Sequence, residues 1–213
     1  MTIVIVGLFA IFVAFVCLAR RNLGPRRKKG TLIKTIVVLG PGGHSREMVE
    51  ILKLLDRTRH VFSFIRPSGS TSGVFEDVSA FKLYGSGGNS HPWTAVRTVP
   101  SPHLSGKFPV RGIATLVYSF LRSIFVISSL NADLVISNGP GIAVPVLLAT
   151  RIVNLLLARK TKTIYIESMC RVDTLSKSGR ILRPFVDKFV VLWPNLAKYK
   201  GTTYLGSMIH TPY

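Results

Sequence analysis

The stretch Lys34–Ser45, KTIVVLGPGGHS, decides the fold. Lys34 to Leu39 is a β-branched, apolar run without alternation, the pattern of a strand covered on both faces, and Gly40 stops it. Ser45 to Asp56 then follows with helical spacing that puts Met48, Val49, Leu52 and Leu55 on one side. Val61 to Ile65 reads as a second strand, so the unit is strand, glycine-rich turn, helix, strand.

Outward from this unit the same alternation continues. Further strands are predicted at 78–83, 133–137, 162–167 and 188–193, and helices at 113–125, 142–158 and 178–186. The segment from Gly85 to Gly106, rich in Ser, Gly and Pro, is expected as a long mobile loop. In the helix at 113–125, Ile113, Leu116, Val117, Phe120, Leu121, Ile124 and Phe125 recur at three and four residues. A face turned to the core is preferred for that stripe, with membrane-surface contact as its functional reading. The helix at 142–158 is apolar nearly all round, but Arg151 near its middle would cost about 2.5–3.5 kcal/mol in a bilayer, so it is expected between sheet strands instead.

Alternating strands and helices make an α/β fold with one Rossmann-like, doubly wound parallel sheet, and such sheets bind ligands beyond the carboxyl ends of their strands. Three ends stand out: Gly40-Pro41-Gly42-Gly43-His44-Ser45, Ser137-Asn138-Gly139-Pro140-Gly141 and Glu167-Ser168-Met169-Cys170-Arg171. Gly42 and Gly43 let backbone amides approach an anion at the positive end of the following helix. A nicotinamide fingerprint fails because Ser45 holds its third glycine position, and no Gly-Lys-Ser/Thr makes a phosphate loop of the hydrolase type.

His44 reads either as a base or phosphate donor, or as a helix cap. Glu167 ends an apolar strand and needs a partner, supplied either by Arg171 or by a ligand. Asn138 can serve its own turn backbone. Cys170 reads as a buried, inert thiol, and with Cys17 it forms no disulfide framework.

Length allows one ordinary domain behind an apolar N-terminus. Ile3 to Ala19 would span roughly 25 Å as a helix, and the basic cluster Arg20, Arg21, Arg26, Arg27, Lys28 and Lys29 follows it. This flank asymmetry predicts a retained anchor with the folded part in the cytosol. The net charge of +19 favours anionic partners, but the basic residues cluster beside the anchor and no aromatic stacking motif accompanies them, which argues against nucleic acid.

GPGGHSREM, DLVISNGPGIAVP, YIESMCRVDTLSKSGRILRPFVDKFVVLWP and YLGSMI, in this order, resemble the membrane-anchor subunit of the endoplasmic-reticulum UDP-N-acetylglucosamine transferase of asparagine-linked glycosylation. The likeness runs from about Ile36 to Ile209. It implies the N-terminal half of a two-domain GT-B glycosyltransferase, similar to the bacterial enzyme that glycosylates the peptidoglycan lipid precursor. It further implies a transmembrane anchor over 1–20, a basic juxtamembrane linker over 21–31 and an acceptor-side half domain over 32–213, single-pass in the endoplasmic-reticulum membrane.

The implied activity belongs to a complex with a small cytosolic catalytic subunit, which transfers N-acetylglucosamine to dolichyl-diphosphate-N-acetylglucosamine. The UDP-GlcNAc donor would be held mainly by that partner, with no cofactor and no metal. His44 and Glu167 are the implied catalytic residues; Gly40, Gly42, Gly43, Ser45, Asn138, Gly139, Gly141 and Arg171 are the implied acceptor contacts. His210 to Tyr213 extend past the family's usual ending. Two other readings stay open: a bacterial transferase subunit acting on a polyprenyl lipid, and a pure tether without ligand contacts.

Overall fold

A computed structural model describes residues 31–68, 95–101, 109–139 and 141–206. The expected anchor and linker, the strand at 78–83 and the terminal residues 210–213 lie outside them, apart from Thr31 at the linker's end.

Among the described residues seven strands form one parallel sheet: β1 (Ile33–Val38), β2 (His60–Pro67), β3 (Ala95–Val99), β4 (Leu134–Ser137), β5 (Lys162–Ile166), β6 (Lys188–Val191) and β7 (Thr202–Tyr204). The order is β3-β2-β1-β4-β5-β6-β7, so the winding reverses between β1 and β4. Val38 pairs with Ser137, and Ser137 with Tyr165, which levels the carboxyl ends of β1, β4 and β5 on one rim.

The unbroken apolar run in β1 has the predicted consequence, because alternate side chains of a strand point to opposite faces. Ile36 and Val38 enter a core with Val126, Ile127, Val146 and Leu147, from helices α2 (Pro109–Leu130) and α3 (Ala143–Leu156). Val37 and Leu39 enter a second core on the other face with Met48, Ile51 and Leu52 of α1 (Gly43–Lys53). A short helix, α4 (Lys177–Leu182), closes the first core through Leu182. Arg151 in α3 pairs with Asp187 at 2.8 Å and donates from Nε to the Phe185 carbonyl, which satisfies the charge inside the protein.

Three expectations are corrected. The predicted loop from Gly85 to Gly106 contains β3, which pairs with β2 from Ser63↔Ala95 to Pro67↔Val99. It is a five-residue edge strand with Arg97 exposed, and short charged edges carry little periodic signal. The three-residue β7 on the opposite edge is likewise absent from the sequence reading.

The third correction concerns α2. Ile113, Val117, Leu121 and Phe125, assigned to a core face, are exposed, Leu121 by 59% and Phe125 by 64%. Of the same stripe Leu116, Phe120 and Ile124 are partly buried, Ile124 against the core, and the helix fully buries Ser119, Ser123, Val126 and Ile127. Small hydroxyl residues let α2 lie close on its neighbours once their polar atoms are paired. Ser119 Oγ donates to the Pro100 carbonyl (2.6 Å) and Ser123 Oγ to the Ser119 carbonyl (2.7 Å).

Candidate functional site

A cleft of about 420 Å³ opens on the rim where β1, β4 and β5 end, lined among others by Gly43, His44, Glu47, Gly139, Glu167 and Arg171. It occupies the crevice at the reversal of strand order, where open α/β sheets bind ligands.

The β1 turn starts α1 without a side-chain cap: Gly42 is the N-cap residue at φ 64°, a conformation that costs a side chain dearly. Gly43 opens the helix and lines the cleft with space where a Cβ would stand. Ser45 turns away, fully buried, and its hydroxyl donates to the Gly42 carbonyl at 2.8 Å. Gly40 is buried at the strand end, and neither Gly40 nor Gly42 is among the lining residues.

Asn138 is buried beneath the cleft and reaches away from its own turn. Its Nδ2 donates to the His44 carbonyl (2.7 Å) and to Glu47 Oε2 (3.3 Å), two acceptors that together fix the orientation of its amide. Gly139, at φ 82°, passes so close to Tyr165 that a Cβ would sit 3.2 Å from the phenolic oxygen. Gly141 completes this wall.

Glu167 is 1% exposed and is held by hydrogen bonds rather than by the expected ion pair with Arg171. Its Oε2 accepts from the Ser176 amide (3.0 Å) and hydroxyl (3.2 Å), and its Oε1 from the Ser168 amide (3.3 Å). Such donors satisfy a buried carboxylate as an ion pair would. Ser176 at the same time caps α4, accepting from the Gly179 amide at 2.9 Å. Arg171 is left exposed on the rim with Lys177, and no ion pair within 4 Å joins it to Glu167. Tyr165, buried beneath, bonds Ser176 Oγ at 3.1 Å; burial first, then the Glu167 charge, pushes its phenol well above the usual range. Cys170, expected as buried packing, is exposed and lines the cleft.

Sequence reasoning misses Tyr165, Ser176 and Lys177 among the lining residues, and above all Glu47. It sits one turn along α1 from His44, with its side chain 11% exposed. Its Oε1 accepts from Ser168 Oγ at 2.9 Å, while Oε2 lies 3.6 Å from His44 Nδ1. The carboxylate thereby links the three loops that follow β1, β4 and β5. In the sequence it is one of several polar residues after the glycine turn, and spacing of three from His44 is its only signal.

The arrangement offers an imidazole about a third exposed, two carboxylates held by hydrogen bonds, a helix N-terminus and two rim cations around one crevice. A ligand carrying a phosphate and a reactive hydroxyl fits such a set.

Comparisons with known proteins agree on the family. The model for oligosaccharide biosynthesis proteins like Alg14 matches residues 35–208. The UDP-N-acetylglucosamine transferase subunit ALG14 of Candida albicans is 34% identical over 187 residues, covering 86% of this chain and 83% of that protein. The human subunit of the same name is 31% identical over 214 residues, covering 96% and 94%.

Among solved structures, Acinetobacter baumannii MurG superposes with a TM-score of 0.56 at 13% identity, over 80% of this chain but 44% of that one. A UDP-N-acetylglucosamine 2-epimerase gives 0.52 at 10% identity, over 76% and 42%. This chain spans less than half the length of both, and the likeness is one of fold. From the match over residues 35–208 and relatives at this identity over most of their length, the chain belongs to the Alg14 family.

Proposed function

We propose that this chain is the acceptor-side, membrane-anchoring subunit of a UDP-N-acetylglucosamine transferase that extends dolichyl-diphosphate-N-acetylglucosamine. The observation that carries this reading is the cleft itself, which among the described residues is bounded by the rim of a single sheet. A GT-B enzyme closes such a crevice with a second nucleotide-binding lobe, and this chain covers only 44% of MurG. A separate small cytosolic subunit would supply that lobe and most of the UDP-GlcNAc site, and without it the chain would be inactive.

In the assembled cleft His44 would accept the proton of the attacking acceptor hydroxyl, as the new bond forms at the anomeric carbon and the bond to UDP breaks, its electrons leaving with the diphosphate. The α1 N-terminus at Gly43, with Arg171 and Lys177, would face the acceptor diphosphate. Glu167 would shape the loop on the side where the second lobe closes.

Residues 1–20 would cross the endoplasmic-reticulum membrane once, with residues 32–213 on the cytosolic side. The exposed apolar side of α2 supports a domain lying close to lipid, since apolar stripes of this extent mark interaction surfaces. Gly112–Leu130 has the length and apolarity of a membrane-crossing helix, yet its serine side packs on the protein, which favours a helix along the surface.

Purification of the chain from membranes, followed by transfer assays with UDP-GlcNAc and the lipid acceptor with and without the recovered companion, tests the proposal. Transfer only with the companion is expected, and full activity of the isolated chain sinks the division of labour.

A further inference from the structure

We propose that Glu47 is a positioning residue that selects the ring tautomer of His44, fixing the proton on Nδ1 so that Nε2 presents its lone pair to the cleft. The inference rests on the assignment of His44 as the base and goes beyond it.

His44 Nδ1 is buried and, among the described residues, has no hydrogen-bond partner within ordinary range; Glu47 Oε2 lies 3.6 Å from it. A neutral imidazole carries its proton on one nitrogen and a lone pair on the other. With the proton on Nε2, a bare Nδ1 lone pair would confront a carboxylate at 3.6 Å, two acceptors facing each other. With the proton on Nδ1, the same approach is attractive.

Protonation of Nε2 during reaction would make the ring cationic, and the carboxylate would then form an ion pair with it. The His44 side chain is about a third exposed while Nδ1 is covered, so the open part of the ring is the remainder, which includes Nε2.

The carboxylate is itself held. Ser168 Oγ occupies Oε1 and Asn138 Nδ2 reaches Oε2, so a swing of Glu47 out to solvent would leave the Ser168 hydroxyl and one of the two Asn138 N–H groups without these acceptors. Asn138 also binds the His44 carbonyl, which ties the backbone of the base to the residue that orients its ring. This is the logic of a base oriented by a third group, built here from positions three apart on one helix.

The test uses the full chain with its catalytic partner. Histidine is labelled with ¹⁵N, and the His44 ring signals are identified as those missing in His44→Gln. The neutral ring in the unsubstituted chain is expected to show the Nδ1–H pattern. The Nε2–H pattern overturns the proposal without any Glu47 variant having to fold. In Glu47→Gln the ring is expected to become a mixture of tautomers, with kcat lowered on the order of 10²-fold and KM for both substrates within about twofold.

Glu47→Asp, which keeps the charge, should recover part of the loss. An unchanged ring pattern in Glu47→Gln, or a rise in KM at constant kcat, overturns it. If His44→Gln keeps its activity, the base assignment falls, while the tautomer result stands on its own.

Discussion

The Glu167 carboxylate and Ser176 share a double contact across nine residues: the Ser176 amide and hydroxyl both reach Oε2, at 3.0 and 3.2 Å. The same hydroxyl caps α4, and Gly179 packs so tightly that a Cβ there would collide with the carboxylate. The end of β5, the rim loop and α4 are therefore one hydrogen-bonded unit. Replacing Ser176 with Ala removes a cap and a donor to a buried charge, and should cost about 1–2 kcal/mol. Chemical denaturation of the chain measures it.

Glu167→Gln keeps the shape and directs an amide group toward donors that need an acceptor. We expect a loss of about 1–3 kcal/mol in stability together with lowered transfer, and undiminished co-purification with the catalytic partner. Loss of activity with intact recruitment excludes a pure tether. Unaltered activity with intact recruitment would remove Glu167 from the acceptor cleft's chemistry.

Asp187 makes stability depend on pH. Burial raises the cost of its charge, but Arg151, the Thr163 amide and hydroxyl (each at 2.9 Å) and Lys162 outweigh that cost and hold its pKa below the ordinary 3.8. A folded-state pKa below the unfolded one stabilises the protein above the unfolded value, and this contribution fades as pH falls through the folded pKa. The stability gap between the unsubstituted chain and Asp187→Asn should therefore be widest near neutral pH and narrow progressively in acid below about 4. Arg151→Met should cost about 2 kcal/mol at neutral pH, because it leaves a partly buried carboxylate and the Phe185 carbonyl short of a donor. Denaturation midpoints across pH decide both.

Much of the architecture could be read from periodicity. The run Ile36–Leu39 shows why: a strand covered on both faces is written as consecutive apolar residues, and β1, β4, β5 and β6 all announce themselves that way. The edge strands do not, since Arg97 and the Thr202–Tyr204 triplet have one solvated flank and few residues. The glycine turns and Glu167 were legible as rim residues. Glu47 was not, because an acid in the second turn of an amphipathic helix ordinarily faces water. Its partners Asn138 and Ser168 lie 91 and 121 residues away, a separation that no local pattern encodes.

In α2 the periodic stripe is real, but its direction was not legible. Apolar spacing identifies a face without saying what covers it: the side carrying Ser119, Ser123, Val126 and Ile127 is buried, while Ile113, Val117, Leu121 and Phe125 stay exposed. Two substitutions separate the sides. Leu121→Glu should leave stability within about 0.5 kcal/mol and weaken retention on vesicles when residues 1–20 are deleted. Ser123→Leu should instead overpack the buried side and cost about 1–3 kcal/mol. Flotation with liposomes and thermal unfolding distinguish the two, and equal vesicle binding by Leu121→Glu would free this side of any lipid role.

Gly139 offers the sharpest test of the cleft wall. Its φ of 82° lies where an L side chain is strained, and an added methyl would meet the Tyr165 hydroxyl at 3.2 Å and approach the His44 ring at 3.9 Å. Backbone strain alone should cost Gly139→Ala about 1–2 kcal/mol. Tyr165 cannot retreat easily, being fully buried, bonded to Ser176 and packed on Phe189 at a centroid distance of 5.0 Å. The displacement should pass to the His44 side of the cleft, so transfer should fall by more than the loss of folded protein explains. Comparing specific activity per folded molecule with the fraction folded tests this. Activity that tracks the folded fraction alone would show the wall to be structural and the His44 ring indifferent to it.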